Sequence, residues 1–307
     1  MKANGFSNAV IRPVITIFLV FGLALSVAAQ DTNLDFKTVQ VGADKGDAKA
    51  QYELARCYER GIGVRRNYLK AADCAQLSAK QGYAPAEVLL GSYYGRGIGV
   101  GLNATKALKW YRAAADQGNP VAQYAMGNFY FVGRGVTNDI IQAVQWWEKA
   151  ATQDQMDAEA RLGQLYLVSA QPYGTNYLDY PKALVWLRRA AAHGSAAAMN
   201  NLGLAYETGL GVTTDIKVAA KWYRAAAERG DSMGQANIGQ LYFDGRGVPF
   251  DLVQAYKWFR LSANQGNFIG TAGFNNFLNH TLLTPKQTGD AEQLVQNFRA
   301  KTGGIQD

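Results

Sequence analysis

Small, apolar and aromatic residues return along this chain at fixed intervals, and their spacing predicts a stack of helical hairpins. The glycine pair Gly97/Gly99 recurs as Gly61/Gly63, Gly133/Gly135, Gly209/Gly211 and Gly245/Gly247. Most steps are 36 residues; the remaining one, 76, is two periods plus four residues. Self-similarity at this period signals an array of helical repeats, with one degenerate copy inside the long step.

Each column predicts a local structure. The first glycine of a pair ends a helix by taking the left-handed conformation. The valine that follows (Val64, Val100, Val136, Val212, Val248) turns back onto that helix. Asn67, Asn103, Asp139, Asp179, Asp215 and Asp251 then stand where a short oxygen-bearing side chain caps the next helix. Four residues on, every copy has alanine (Ala71, Ala107, Ala143, Ala183, Ala219, Ala255), and three further on a tryptophan, with Cys74 as the exception. Residues three apart share a helix face. In the preceding helix, Tyr58, Tyr94, Tyr130, Tyr166, Tyr206 and Tyr242 are constant, and three residues before each stands Ala55 or a glycine. Glycine inside a helix costs roughly 1 kcal/mol against alanine. Its return predicts close helix approach.

The repeats run over about 46–81, 82–117, 118–153, 154–193, 194–229 and 230–265. In the fourth, the glycine turn is replaced by a longer, tyrosine-rich loop from Ala170 to Tyr177, a candidate binding loop or a tolerated insertion. Residues 30–45 read as an N-terminal cap, with Asp31 in the capping column and a lone helix over Thr32 to Ala43. Residues 267–307 read as a C-terminal cap: helices over 267–281 and 285–301, the second started by Thr284-Pro285, then a tail. Met1 to Ala29 reads as a secretory signal, with Lys2 and Arg12 before an apolar run from Val14 to Val27 and small residues ahead of Gln30. That run is short for a membrane span, which needs about 20 residues. A retained anchor is the alternative, and no later segment is apolar enough to span. The expected location is the periplasm or the cell exterior.

These columns, A-x-x-x-L-G-x-x-Y-x-x-G-x-G-V followed by D-x-x-K-A-x-x-W-Y-x-x-A-A, resemble the Sel-one-like repeat family, relatives of the tetratricopeptide repeats. The resemblance covers about Gly46 to Gly266. It implies an all-α fold: an α/α solenoid superhelix of six helix-turn-helix repeats with capping helices at both ends. It also implies a non-enzymatic scaffold or adaptor for protein partners, without a cofactor. Some cysteine-rich members of the family are associated with β-lactam binding or hydrolysis; their repeated cysteine pairs are absent here. A hydrolase acting on β-lactam or cell-wall substrates and a structural spacer in an envelope complex are the competing readings.

Composition changes this picture little. The formal net charge is +7, and loss of Lys2 and Arg12 with a signal peptide lowers it by two. No basic run is interleaved with stacking aromatics, so nucleic acid is not an expected partner. Cys57 and Cys74 are the only cysteines. In a secreted chain they favour a disulfide across the first hairpin, with two buried free thiols as the alternative. His193 and His280 have no metal-ligand company in sequence, and no nucleophile or phosphate-loop motif is present. The glycines of Gly95 to Gly101 recur as helix ends and are not a phosphate loop.

The informative surface is one face of the first helices. Positions i, i+4, i+7 and i+11 vary there and are often polar: Lys49, Glu53, Arg56 and Arg60, then Leu89, Ser92 and Arg96, then Asn128, Arg161, Gln164, Asn201, Asn237 and Gln240. In tetratricopeptide arrays the first helices line the concave groove. By that resemblance this face forms the groove floor, where guanidinium forks and carboxamides hold carboxylates or the backbone of an extended peptide.

Overall fold

The computed structural model describes residues 35–168 and 177–302. The described residues form fifteen helices and no strand. A lone helix, α1 (Phe36–Asp44), precedes six hairpins: α2 (Ala48–Arg60) with α3 (Tyr68–Lys80), α4 (Ala84–Arg96) with α5 (Ala104–Asp116), α6 (Pro120–Val132) with α7 (Ile140–Ala151), α8 (Met156–Leu167) with α9 (Tyr180–Ala192), α10 (Ala196–Thr208) with α11 (Ile216–Glu228), and α12 (Ser232–Asp244) with α13 (Leu252–Asn264). Two helices close the array, α14 (Phe268–His280) and α15 (Pro285–Thr302). Hairpin partners pack on one another and the second helix of each hairpin packs on the first helix that follows it, so the chain is an α/α solenoid. First helices of neighbouring repeats also touch, α8 with α10 and α10 with α12.

Local rules set the helix ends. All six capping residues accept an amide hydrogen bond from the first turn of their helix, as Asn103 does from Lys106 at 2.9 Å and Asp179 from Lys182 at 2.9 Å. Such a cap contributes about 1 kcal/mol. Gly97, at φ +73°, ends α4 with its amide bonded to the Tyr93 carbonyl. The second glycine of each turn has a role that the spacing did not reveal: a Cβ on Gly247 would lie 2.5 Å from the Ile216 carbonyl oxygen. The turn of one repeat thus rests on the first residue of the second helix before it, and Gly99 stands in the same way against Tyr68.

The column alanines are all fully buried. The side chains that meet the column glycines of the first helices are the residues one after the column tryptophans, four aromatic rings and one leucine. Gly91 faces Tyr111, Gly163 faces Leu187, Gly203 faces Tyr223 and Gly239 faces Phe259, each within its own hairpin. Trp146 and Trp258 are buried, while Trp110, Trp186 and Trp222 are half-buried on the neighbouring face.

The lone N-terminal helix starts at Phe36. Asp35, not Asp31, caps its helix by accepting from the Lys37 and Thr38 amides; Asp31 and the segment read as a secretory signal lie outside the described residues. At the other end Thr284 and Gln287 bond reciprocally, each side chain to the other's amide. Val295 is then buried beside Trp258, whose ring meets Phe298 edge-on at 5.5 Å. No helix among the described residues is long and apolar enough to cross a membrane.

Candidate binding surface on the first helices

The first helices bury the glycine and leucine columns and leave one polar stripe accessible. Lys49, Arg60, Arg96, Gln164 and Gln240 are exposed; Glu53, Asn128, Arg161, Asn201 and Asn237 are half-buried. Leu89 and Ser92 are buried, which interrupts the stripe in the second repeat. Arg56 is a correction. It is 5% exposed, its Nη1 donates to the Tyr52 hydroxyl at 2.9 Å, and its Nε lies 3.3 Å from Glu59. Its guanidinium is buried and engaged within the protein, not displayed along the stripe.

The amide series in the second half links repeats. Asn237 donates to the Asn200 side chain at 2.9 Å, joining α12 to α10, and Gln240 donates to Asp244 at 2.9 Å. Glu207 accepts from the Tyr223 hydroxyl at 2.8 Å and pairs with Arg246 of the next turn at 3.2 Å. Burial, together with Glu207, pushes the Tyr223 phenol up, so it stays a neutral donor there. The tyrosine-rich insertion over 169–176 lies outside the described residues. Tyr177, which follows it, stands 6.5 Å from Tyr166, centroid to centroid.

Cys57 and Cys74 are free thiols, so the expected bridge is not formed. Cys57 is fully buried, with Glu53 as its charged neighbour. Cys74 is half-buried beside Asp73, Lys70 and Asp44. The two thiols have different charged neighbours. Burial and the two carboxylates push the Cys74 thiol up to about 11.

A second polar column escaped sequence reasoning. Within a hairpin, a glutamine just after the second helix bonds a buried side chain on the first: Gln81 to Gln51 at 2.8 Å, Gln117 to Glu87 at 2.8 Å, Gln153 to Gln123 at 2.8 Å, and Gln265 to Gln235 at 2.9 Å. The signal was a constant separation of 30 residues between polar positions. In the fourth repeat the insertion widens it to 34, and His193 Nδ1 lies 2.8 Å from Glu159 Oε2. Glu159 is fully buried and also receives Arg189 at 3.0 Å, which donates to Asp154 at 2.8 Å as well. Asp154, Glu159 and His193 bring three potential metal-ligand atoms within 4.8 Å of one another. The guanidinium already supplies the positive charge among them, so the cluster reads as a latch between helices.

Tandem hairpins with an accessible polar stripe on consecutive first helices define a tetratricopeptide-like helical repeat protein. The Sel1 repeat profile matches residues 48–83, 84–119, 120–155, 157–195, 196–231 and 232–267. The chain belongs to the Sel1 repeat family, whose members generally mediate protein–protein interactions and are typically non-catalytic. It is similar to a protective antigen of uropathogenic Escherichia coli that displays an SLR fold, at 38% identity and a TM-score of 0.78. That match covers 87% of this chain and 56% of the antigen, so the chain spans just over half of its length. A Sel1 repeat protein from Oxalobacter formigenes is similar at 31% identity and a TM-score of 0.67, over 81% of this chain and 96% of that one. No curated protein sequence matches this chain.

Proposed function

We propose that this protein is a non-enzymatic adaptor of the periplasm or cell exterior that binds a segment of a partner protein along its first helices. The observation that carries the reading is the accessible polar stripe itself. Arg60, Arg96, Arg161 and Gln164 stand on helices whose other faces are buried, and Asn201, Asn237 and Gln240 extend the stripe to the sixth repeat. Guanidinium groups at one end favour partner carboxylates, and the carboxamides beyond them suit an extended main chain. The location rests on the signal-like segment ahead of Gln30.

The test is affinity capture from the native envelope, with mass spectrometry, using the wild-type chain and the triple variant Arg60→Glu, Arg96→Glu, Arg161→Glu. The expected result is a partner retained by the wild type and lost by the variant with the helical content unchanged. Equal retention by both would refute the stripe as the site.

A further inference from the structure

The second helices pack a tryptophan against the second helix before them. Trp146 of α7 shows the arrangement. The guanidinium carbon of Arg112 stands 5.3 Å from its ring centroid and Lys149 Nζ 4.3 Å away, and the ring lies in one apolar cluster with Ala115, Met126 and Tyr130. Two repeats earlier the same places hold Gln40, Leu77, Ala43, Leu54 and Tyr58, and the tryptophan itself is Cys74. All six of these residues line an open cleft of about 210 Å³ between α1, α2 and α3. The first repeat therefore keeps the walls of the tryptophan site and leaves out the ring.

We propose that this cleft is a subsite for an aromatic side chain of a partner, an indole above others, followed in the partner's sequence by a lysine or arginine. Shape argues for the ring, because the corresponding space in the third repeat is filled by one. Chemistry agrees. Leu54, Leu77 and Ala43 supply apolar walls, and the protonated Cys74 thiol adds no charge. An apolar cavity of about 150 Å³ is sufficient to take up benzene. The rim argues for the cation: Asp44 and Asp73 are exposed there against a single ammonium, Lys70, which lies 5.3 Å from the Tyr58 ring centroid. None of the residues lining the cleft belongs to the arginine and amide stripe of the first helices, so the cleft is independent of it.

The experiment is an NMR titration of the full chain with N-acetyl-Trp-Arg-amide, with N-acetyl-Ala-Arg-amide and N-acetyl-Trp-Glu-amide as comparison probes. The expected result is saturable shifts at Leu54, Tyr58 and Leu77 with the first probe and binding at least tenfold weaker with the other two. Cys74→Trp fills the cleft from within and should abolish those shifts while raising the melting temperature. Asp44→Asn with Asp73→Asn, both at exposed positions, should keep tryptophan binding and lose the preference for arginine over glutamate. Equal binding of the tryptophan and alanine probes, retention of binding by Cys74→Trp, or no saturable shift at millimolar probe would each overturn the proposal.

Discussion

Gly203 and Tyr223 touch backbone to ring: a Cβ on Gly203 would lie 2.5 Å from Cδ1 of the tyrosine. The contact fixes how closely α10 and α11 approach, and the Tyr223 hydroxyl is held in turn by Glu207. Helix propensity favours alanine over glycine by about 1 kcal/mol, but overpacking of this kind costs about 1–3 kcal/mol. Gly203→Ala should therefore destabilise the protein. Gly91→Ala should cost less, since its Cβ would stand 3.1 Å from the Tyr111 ring. Urea unfolding of the two variants checks the order; a stabilised Gly203→Ala would contradict it.

Much of this fold was legible because each column obeys a local rule. Caps, left-handed glycines and buried alanines follow from backbone geometry and need no knowledge of neighbours. The glycine's partner was not legible for the opposite reason. Tyr111, Trp147, Leu187, Tyr223 and Phe259 differ from copy to copy, so no constant column marked the side chain that each glycine meets. The closure of Arg56 was in principle readable, since Tyr52 and Glu59 lie at i−4 and i+3 on its own helix. Which way two cysteines on packed helices face is a property of the hairpin, and their spacing does not encode it.

Both cysteines should titrate with a thiol reagent after denaturation, and reducing agent should leave the melting temperature unchanged. A bridge across this hairpin would add about 3 kcal/mol. A chain without free thiols that loses stability on reduction would contradict the free state seen here.

The fourth-repeat latch holds a buried carboxylate. Arg189→Ala leaves Glu159 with His193 alone and should cost about 1–3 kcal/mol, the penalty of an under-satisfied buried acceptor. The double variant Glu159→Gln, His193→Gln recreates the glutamine pair of repeats one, three and six and should cost less. Chemical denaturation distinguishes them; equal losses would show that the latch chemistry is immaterial.

Asp231 caps α12, and burial raises its carboxyl above the ordinary value, against the opposing Gly234 and Met233 amides. A raised acid favours the folded state only while protonated: that contribution is present at low pH and lost as pH rises through the folded pKa. Asparagine does the same capping at Asn119 and Asn267 without the charge. Asp231→Asn should raise the melting temperature at pH 7, with a gain that shrinks as pH falls through the carboxyl range. A pH-independent difference would contradict the cause given.

The adaptor reading is tested most directly by a photo-crosslinking residue placed singly along the array in the native envelope. Positions 96 and 164 lie on first helices, and positions 109 and 145 are exposed on second helices. The account predicts one covalent adduct of the same partner from 96 and 164 and none from 109 and 145. Adducts confined to 109 and 145 would contradict it.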